Sequence, residues 1–356
     1  MDIVLEAVDT FVADKVYATL LPATSPPCSF SQNATEDIFC GGGSSSSGWE
    51  YKPSTYLMYL EPSSAAYESI WMRDNVFRQF ITLFFTTWVF GFVYYFSLAS
   101  LSYVFLFDKE TFKHPKFLKN QVSLEIRQAV RAMPGLALCT AALFVLEVRG
   151  HTRMYGGTHP SSSSAEDDGP GTWYTWAQLP LFILFTDFCV YWIHRGLHHP
   201  LVYKHLHKSH HKWIMPTPFA SLAFNPIDGF LQSVPYHAFP MIFPMHKFIF
   251  VAAFVFVNIW TILIHDGEYV TDNPVINGSA CHSAHHLYFN YNYGQYLTLW
   301  DRLGGSYRRP EKEWFDRALK MSKETWKRGI NEMEKIQEAV EGEDNREYSA
   351  ADKKNN

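Results

Sequence analysis

The chain is short of charge and of cysteine, and both shortages narrow what it can be. Lys, Arg, Asp and Glu make up only 18% of its 356 residues, while aromatic residues reach 17%. A net charge of −5 leaves no basic excess of the kind a nucleic-acid-binding surface requires. The five cysteines, at 28, 40, 139, 189 and 281, form no CxxC pair, which argues against both a zinc ribbon and a disulfide framework. A bridge between Cys28 and Cys40 would require a lumenal N-terminus. No internal repeat is evident, and Asp2, Glu6 and Asp9 interrupt the first residues in a way that a cleavable signal peptide does not.

The residues that replace charge are apolar and come in long runs. Residues 79–107 carry no charge at all; as a helix they would span about 43 Å, more than the roughly 30 Å of a bilayer's hydrocarbon core. A second run, 132–146, is long enough only if Arg131 and Glu147 snorkel at its ends. A third, 171–193, contains Asp187 as its one charge, and a fourth region, 229–264, contains only Lys247. These runs predict an integral membrane protein. Glycine-serine stretches at 41–48 and 156–171 read as linkers, and the polar stretch after Arg308 reads as a helix ending in a solvated tail.

Histidine is concentrated where these runs end. Thirteen of the sixteen histidines lie between 194 and 286. They form His194-x-x-x-His198, His207-x-x-His210-His211 and His282-x-x-His285-His286. Chance would produce an HxxHH pattern roughly 0.03 times at this histidine frequency, and it occurs twice. On a helix, positions i, i+3 and i+4 share one face, so each cluster is expected to aim its imidazoles at a common point. Eight such ligands exceed one ion's coordination, which points to two metals. His265, where the fourth region leaves the membrane, is the expected ninth ligand. His114, His151, His159, His205, His237 and His246 read as capping or hydrogen-bonding groups.

Imidazole suits zinc, copper, iron or nickel. The chain contains no Glu-x-x-His, the signature of soluble di-iron bundles. An all-nitrogen shell suits a metal that binds and reduces dioxygen, with carboxylates one step out to orient the rings. Asp187, seven residues before His194 and on the same helical face, and Asp266, beside His265, are candidates for that role. His199 is a further candidate, although it lies about 140° around the helix from His194 and precedes Pro200.

A single site requires all three clusters on one side of the membrane, so 229–264 must run out and back as a hairpin, with its turn between Pro240 and Lys247. Basic residues at 109–131, around the histidines and after Arg302 place that side in the cytosol. The N-terminus is then lumenal, and the Asn33-Ala34-Thr35 sequon is open to glycosylation.

The runs "HRGLHHP", "HKSHHKWIMPTPFAS", "IHDGEY", "NGSACHSAHHLYFNYNYGQY" and "LTLWDRLGGSYR" resemble the fatty acid hydroxylase superfamily of membrane di-iron enzymes, and within it sterol C-5 desaturase (lathosterol oxidase). The resemblance covers roughly 70–310. It implies an all-α membrane bundle capped by a cytosolic histidine-rich helical di-metal domain. Residues 1–70 would form a polar N-terminal region with a linker, 71–310 the membrane-embedded catalytic domain, and 311–356 a charged helix and tail. It implies two non-haem irons held by His194, His198, His207, His210, His211, His282, His285 and His286, which would be the catalytic residues. It also implies O2-dependent insertion of the C5=C6 double bond into a membrane Δ7-sterol of the ergosterol-type pathway. Electrons would come from cytochrome b5 and its NADH-dependent reductase. The C-terminal "KKNN", with Lys353 and Lys354, resembles a dilysine signal for the endoplasmic reticulum. The family reads "SHAFHP" where this chain reads "SLAFNP", so Leu222 and Asn225 replace two histidines. The alternatives are a related hydroxylase or oxidase acting on a C-4 methyl sterol or a sphingolipid fatty acid, or a non-catalytic paralogue disabled at 222 and 225.

Overall fold

Lipid offers the backbone no hydrogen-bond partners, so a long uncharged run in a membrane must satisfy its own amides, which a helix does. The computed structural model, which describes residues 1–23, 60, 62–156, 170–320 and 322–349, is built on that rule. Cys28, Cys40, the Asn33 sequon, the 41–48 run, most of the 156–171 linker, His159, Lys353 and Lys354 lie outside the described residues.

In chain order the helices are α1 (Asp2–Val8), α2 (Asp14–Leu20), α3 (Val76–Phe105), α4 (Gln121–Val148), α5 (Thr172–Leu197), α6 (Pro200–Leu206), α7 (Pro226–Ile242), α8 (Lys247–Leu263), α9 (Ser279–Tyr288), α10 (Leu299–Leu303), α11 (Arg317–Lys320) and α12 (Lys323–Glu341). The strands among the described residues are two residues long each. The all-α expectation therefore stands.

Helices α3, α4 and α5 are long and apolar enough to cross a membrane, and α8 is a shorter apolar helix. Their outward faces suit lipid: Phe92, Val93, Val104 and Phe105 of α3 and Trp173 and Trp176 of α5 are exposed. Bulky apolar side chains left in the open mark a surface made for contact, and tryptophans near a helix end favour the bilayer interface.

One expectation is corrected here and two are made specific. Helix α4 starts at Gln121, well before the uncharged 132–146 stretch, and Glu147 at its far end does not snorkel. Its carboxylate is buried instead and pairs with the amino group of Met1. The hairpin turns at Phe243–His246, inside the expected Pro240–Lys247 interval; Pro240 itself lies in α7, and the side chain of His246 caps α8 by accepting the Phe248 N–H. The stretch after Arg308 forms the expected polar helix, α12, with exposed residues 342–345 beyond it, but single residues tie it down. Met333 of α12 is fully buried, Tyr203 donates to Glu341 Oε1 at 2.7 Å, and Ser349 N–H binds the Phe117 carbonyl.

The chain divides into two compact units. The first comprises Met1–Phe90 and Ala137–Gly169. Its core joins Leu5, Leu83, Ala141, Phe144 and Val145. Asp9, one of the acidic residues that argued against a signal peptide, finds its partner here. A π-turn over Asp9–Ala13 separates α1 from α2. In a regular helix, residues five apart point about 140° away from each other. The wider turn lets Asp9 and Asp14 meet the same guanidinium, at 2.9 Å and 2.5 Å from Arg78 Nη2, while Arg73 Nη2 binds Asp14 at 2.5 Å.

The second unit, Gly91–Leu136 with Pro170–Asn356, contains every clustered histidine. Phe182 of α5 meets Phe239 of α7 edge-on at 5.3 Å, and Tyr174 Oη donates to the Pro244 carbonyl at 2.8 Å. Helix α9 is buried from Ala280 to Tyr288. It packs under α12 through Leu287, Tyr288, Met333 and Ile330.

His114 fills the hydrogen-bonding role expected of it. It is buried, accepts the Lys116 N–H at Nδ1 and meets Trp326 of α12 edge-on at 5.3 Å. Burial, and then the Lys116 charge, push its pKa down to about 3. The unfolded value is about 6.5. The stability tied to neutral His114 is therefore fully present above pH 6.5 and is lost as pH falls towards 3. The thermal midpoint of His114→Asn, whose side-chain oxygen can still accept the Lys116 N–H, should fall less between pH 6.5 and 4.5 than that of the parent chain. Equal slopes would remove His114 as a source of acid sensitivity.

Candidate metal centre

The three histidine clusters reach their places by different local means. His194 sits in the last turn of α5 and His198 caps it. His207 caps α6, and the chain then makes a helix-like turn in which the N–H groups of His210 and His211 both bind the His207 carbonyl, at 2.9 and 3.3 Å. His282, His285 and His286 lie on α9. His265 follows α8. Nine imidazoles from these four segments converge.

They converge on two points. One group holds His194, His198, His207, His211 and His285; the other holds His210, His265, His282 and His286. Within each group the ligand atoms lie within 4.8 Å of one another. The expectation of one common point per cluster holds for His194 and His198 and is corrected for the two HxxHH boxes. In each HxxHH box the first and last histidines serve one group and the middle one serves the other. On a helical turn, i+3 and i+4 lie on opposite sides of residue i, about 100° apart, so a box can straddle two centres. The centres adjoin, with His211 and His286 ring centroids 4.9 Å apart.

Hydrogen bonds determine which ring nitrogen is left free. His194 Nδ1 faces the Tyr293 carbonyl at 3.0 Å, His285 Nδ1 the Tyr291 carbonyl at 2.7 Å and His265 Nδ1 the Thr261 carbonyl at 2.6 Å. His207 Nδ1 faces Asp228 Oδ2 at 2.8 Å. Carbonyls and carboxylates only accept, so each of these Nδ1 atoms carries the proton and each Nε2 carries a bare lone pair. Yet the Nε2 atoms of His194 and His207 stand 3.1 Å apart, and no hydrogen can lie between them. Two nitrogens bound to one ion at about 2.1 Å and 90° apart would be separated by about 3.0 Å. The pairs His211–His285 and His265–His282 show Nε2 separations of 3.0 Å, and His282–His286 one of 3.1 Å. His198 Nε2 is buried with no hydrogen-bond partner among the described residues. Lone pairs aimed at one another in a dry site fit a bound cation and little else.

The rings are also in the right protonation state. Burial, reinforced by neighbouring imidazoles, holds His198, His210, His211, His282, His285 and His286 well below the usual histidine value. Burial alone takes His265 to about 4. Neutral imidazoles are the form that binds metal.

The three candidates for orienting the rings lie elsewhere. His199 caps α6 by accepting the Leu201 N–H and is exposed. Asp266 accepts the Glu268 N–H, and burial raises its pKa to about 6. Asp187 accepts the N–H groups of Gln295 and Tyr296 at 2.8 and 2.7 Å. It therefore acts one step further out, fastening the end of the loop whose Tyr291 and Tyr293 carbonyls hold His285 and His194. Asp301 fastens the same loop through the N–H groups of Tyr293 and Gly294. At the loop's start Phe289 adopts φ 58° and ψ −53°, and the N–H of Asn290 folds back onto the Tyr288 carbonyl. That tight three-residue turn is strained for a side-chain-bearing residue, and it stacks the Phe289 ring on His211 at 5.1 Å.

Sequence reasoning missed Asp228, the one carboxylate among the described residues that hydrogen-bonds a clustered imidazole. It stands three residues after Asn225, the cap of α7. An acid in a helix's first turn is ordinary, so nothing in "NPIDG" marked it. Asn225 itself caps α7 by accepting the Ile227 N–H at 2.9 Å, and Leu222 ends a short 3-10 turn. Neither belongs to the two groups, so their departure from the family pattern removes no imidazole from either.

The fold and site together define a membrane-embedded helical protein built around a paired polyhistidine metal centre. Residues 179–306 match the Fatty acid hydroxylase family. The chain is 58% identical to a probable Delta(7)-sterol 5(6)-desaturase of Neurospora crassa over 99% of both chains. It is 54% identical to a Delta(7)-sterol 5(6)-desaturase of Aspergillus fumigatus, covering 98% of this chain and 97% of that one. The Candida albicans Delta(7)-sterol 5(6)-desaturase is 44% identical, over 98% of this chain and 99% of that one. No solved structure matches. The chain belongs to the sterol C-5 desaturase family.

Proposed function

We propose that this chain is a Δ7-sterol 5(6)-desaturase working with two non-haem irons at the cytosolic face of the endoplasmic reticulum membrane. The nine clustered histidines would hold the irons, five on one and four on the other. Cytochrome b5, reduced by its NADH-dependent reductase, would supply electrons. When bound, the irons supply the reduction of O2 by two external electrons and two protons together with the two substrate hydrogens, so that the C5–C6 bond becomes double and two waters leave.

The observation that carries the reading is the set of opposed Nε2 lone pairs in a site built from buried rings. Five nitrogen ligands on one centre exceed a closed four-ligand structural zinc site, nine in two adjoining groups exceed it further, and an imidazole shell suits redox iron. The chain's own residues do the rest. Asp228 and the carbonyls of Thr261, Tyr291 and Tyr293 keep the protons on Nδ1 and the rings turned inward. Burial of the cap keeps bulk water from a strong oxidant.

Expression in a yeast strain lacking its own C-5 desaturase tests this directly. Rescue should restore sterols with the conjugated 5,7-diene. Persistent Δ7-sterols without the 5,6 double bond, despite normal protein level and iron content, would overturn the assignment.

A further inference from the structure

Outside the histidine cap, three cations line one groove and have no ion-pair partner among the described residues. Arg127 and Arg131 stand one turn apart on the exposed side of α4, and Lys212 follows His211. They line a groove of about 380 Å³, closed by Ser209, Trp213 and Asn225 among others. No Asp or Glu lines it. Trp213 supports the ammonium of Lys212, which stands 5.0 Å from its ring. Like charges one helical turn apart repel, so this arrangement is costly unless something negative lies between them.

The groove is built into the fold. Gln128 donates to the carbonyls of Ser209 and Ala223 at 3.0 and 2.9 Å, tying α4 to the loop that carries His210 and His211. Gly135 brings α4 against α7, where a side chain would collide with Pro226. The groove also sits where a membrane surface would fall. Arg131 is the last charge before the uncharged 132–146 stretch of α4. Beside the groove's Pro226 edge, α7 exposes Ile227 and Leu231.

We infer that this groove binds the phosphate-bearing headgroup of an anionic phospholipid, with an acyl chain lying along Ile227 and Leu231. Charge complementarity selects the anion, and cationic pockets between spanning helices at the cytosolic boundary suit acidic headgroups. The adjoining apolar strip selects a lipid over a soluble anion. A concave slot of this size suits a headgroup better than the broad face of an acidic protein. The site is separate from the two histidine groups and from the substrate proposed for them.

The test uses the full chain in nanodiscs of phosphatidylcholine with a minor fraction of phosphatidylinositol. Phospholipid retained through detergent extraction is then measured by native mass spectrometry. The parent protein should retain phosphatidylinositol in preference to phosphatidylcholine. Removing one cation, as in Arg131→Gln, should weaken retention several-fold, and the triple variant Arg127→Gln, Arg131→Gln, Lys212→Gln should weaken it by about a hundredfold. Circular dichroism and bound iron equal to the parent's show that the variants fold; a variant that fails this check is replaced by the corresponding Lys-for-Arg change, which should retain the lipid. Equal retention by parent and triple variant would overturn the inference. So would displacement of the lipid by millimolar inorganic phosphate, which would make the groove a site for free anions. Unchanged lipid retention with loss of electron transfer from cytochrome b5 would assign the groove to an acidic protein and overturn it as well.

Discussion

A His282→Ala variant should bind about one iron per chain instead of two and form no 5,7-diene sterol. His282 belongs to the smaller group, with His210, His265 and His286. Its Nε2 stands 3.0 Å from that of His265 and 3.1 Å from that of His286, so it is the member that both neighbours share. Three imidazoles would remain, with a ring-sized void opened beside them in a buried helix. His285→Ala should also fail to rescue the yeast strain, but it should retain more of its iron, because four imidazoles remain in its group. His205→Ala is the control: it lies in the same histidine-rich segment, is exposed, and belongs to neither group. Metal analysis of purified protein, beside immunoblots of expression level, separates lost metal from lost protein. Two irons per chain in His282→Ala would remove that residue from the ligand set.

Asp228→Asn should weaken iron retention and lower desaturation by about 10- to 100-fold, the usual cost of removing a group that orients a ligand. Both Asp228 and His207 are fully buried, and the carboxylate also accepts from Gln232 Nε2 at 2.7 Å. Asparagine preserves the shape and can still accept the His207 Nδ1–H, so the loss measures the negative charge. That charge makes the imidazole a stronger donor at Nε2 and offsets part of the positive charge of a bound ion. The check is resistance of bound iron to a graded chelator, with the thermal midpoint of the metal-free protein as the control for packing. Parent-like resistance would leave Asp228 as a simple packing contact.

Much of this could be read along the chain because it rests on local pattern. An uncharged run such as 79–107 has one way to satisfy its amides in lipid, and α3 follows within a few residues. The HxxHH spacing exceeds chance and names the ligands one by one, since helical geometry over four residues is nearly independent of context. His265 was placed by the same logic, from where its helix leaves the membrane. What pattern could not reach involves partners distant in sequence. Asp228 is 21 residues from His207, and the carbonyl that holds His194 is 99 residues away. Asp9 and Asp14 acquire their partners, Arg73 and Arg78, only when residues about sixty positions on are brought to them. Burial of α12 depended on the apolar face of α9 beneath it.

By itself, then, the order of residues determined that the chain lives in a membrane, that its helices end in clustered imidazoles, and which nine of them could bind metal. The tertiary structure alone decided that the nine divide five and four, that each HxxHH box serves both centres, and which nitrogen of each ring is bare. The reason is physical. Spacing sets the direction of a side chain relative to its own helix axis, whereas the meeting point of several axes, and the acceptor that holds each Nδ1 proton, exist only once the helices have packed.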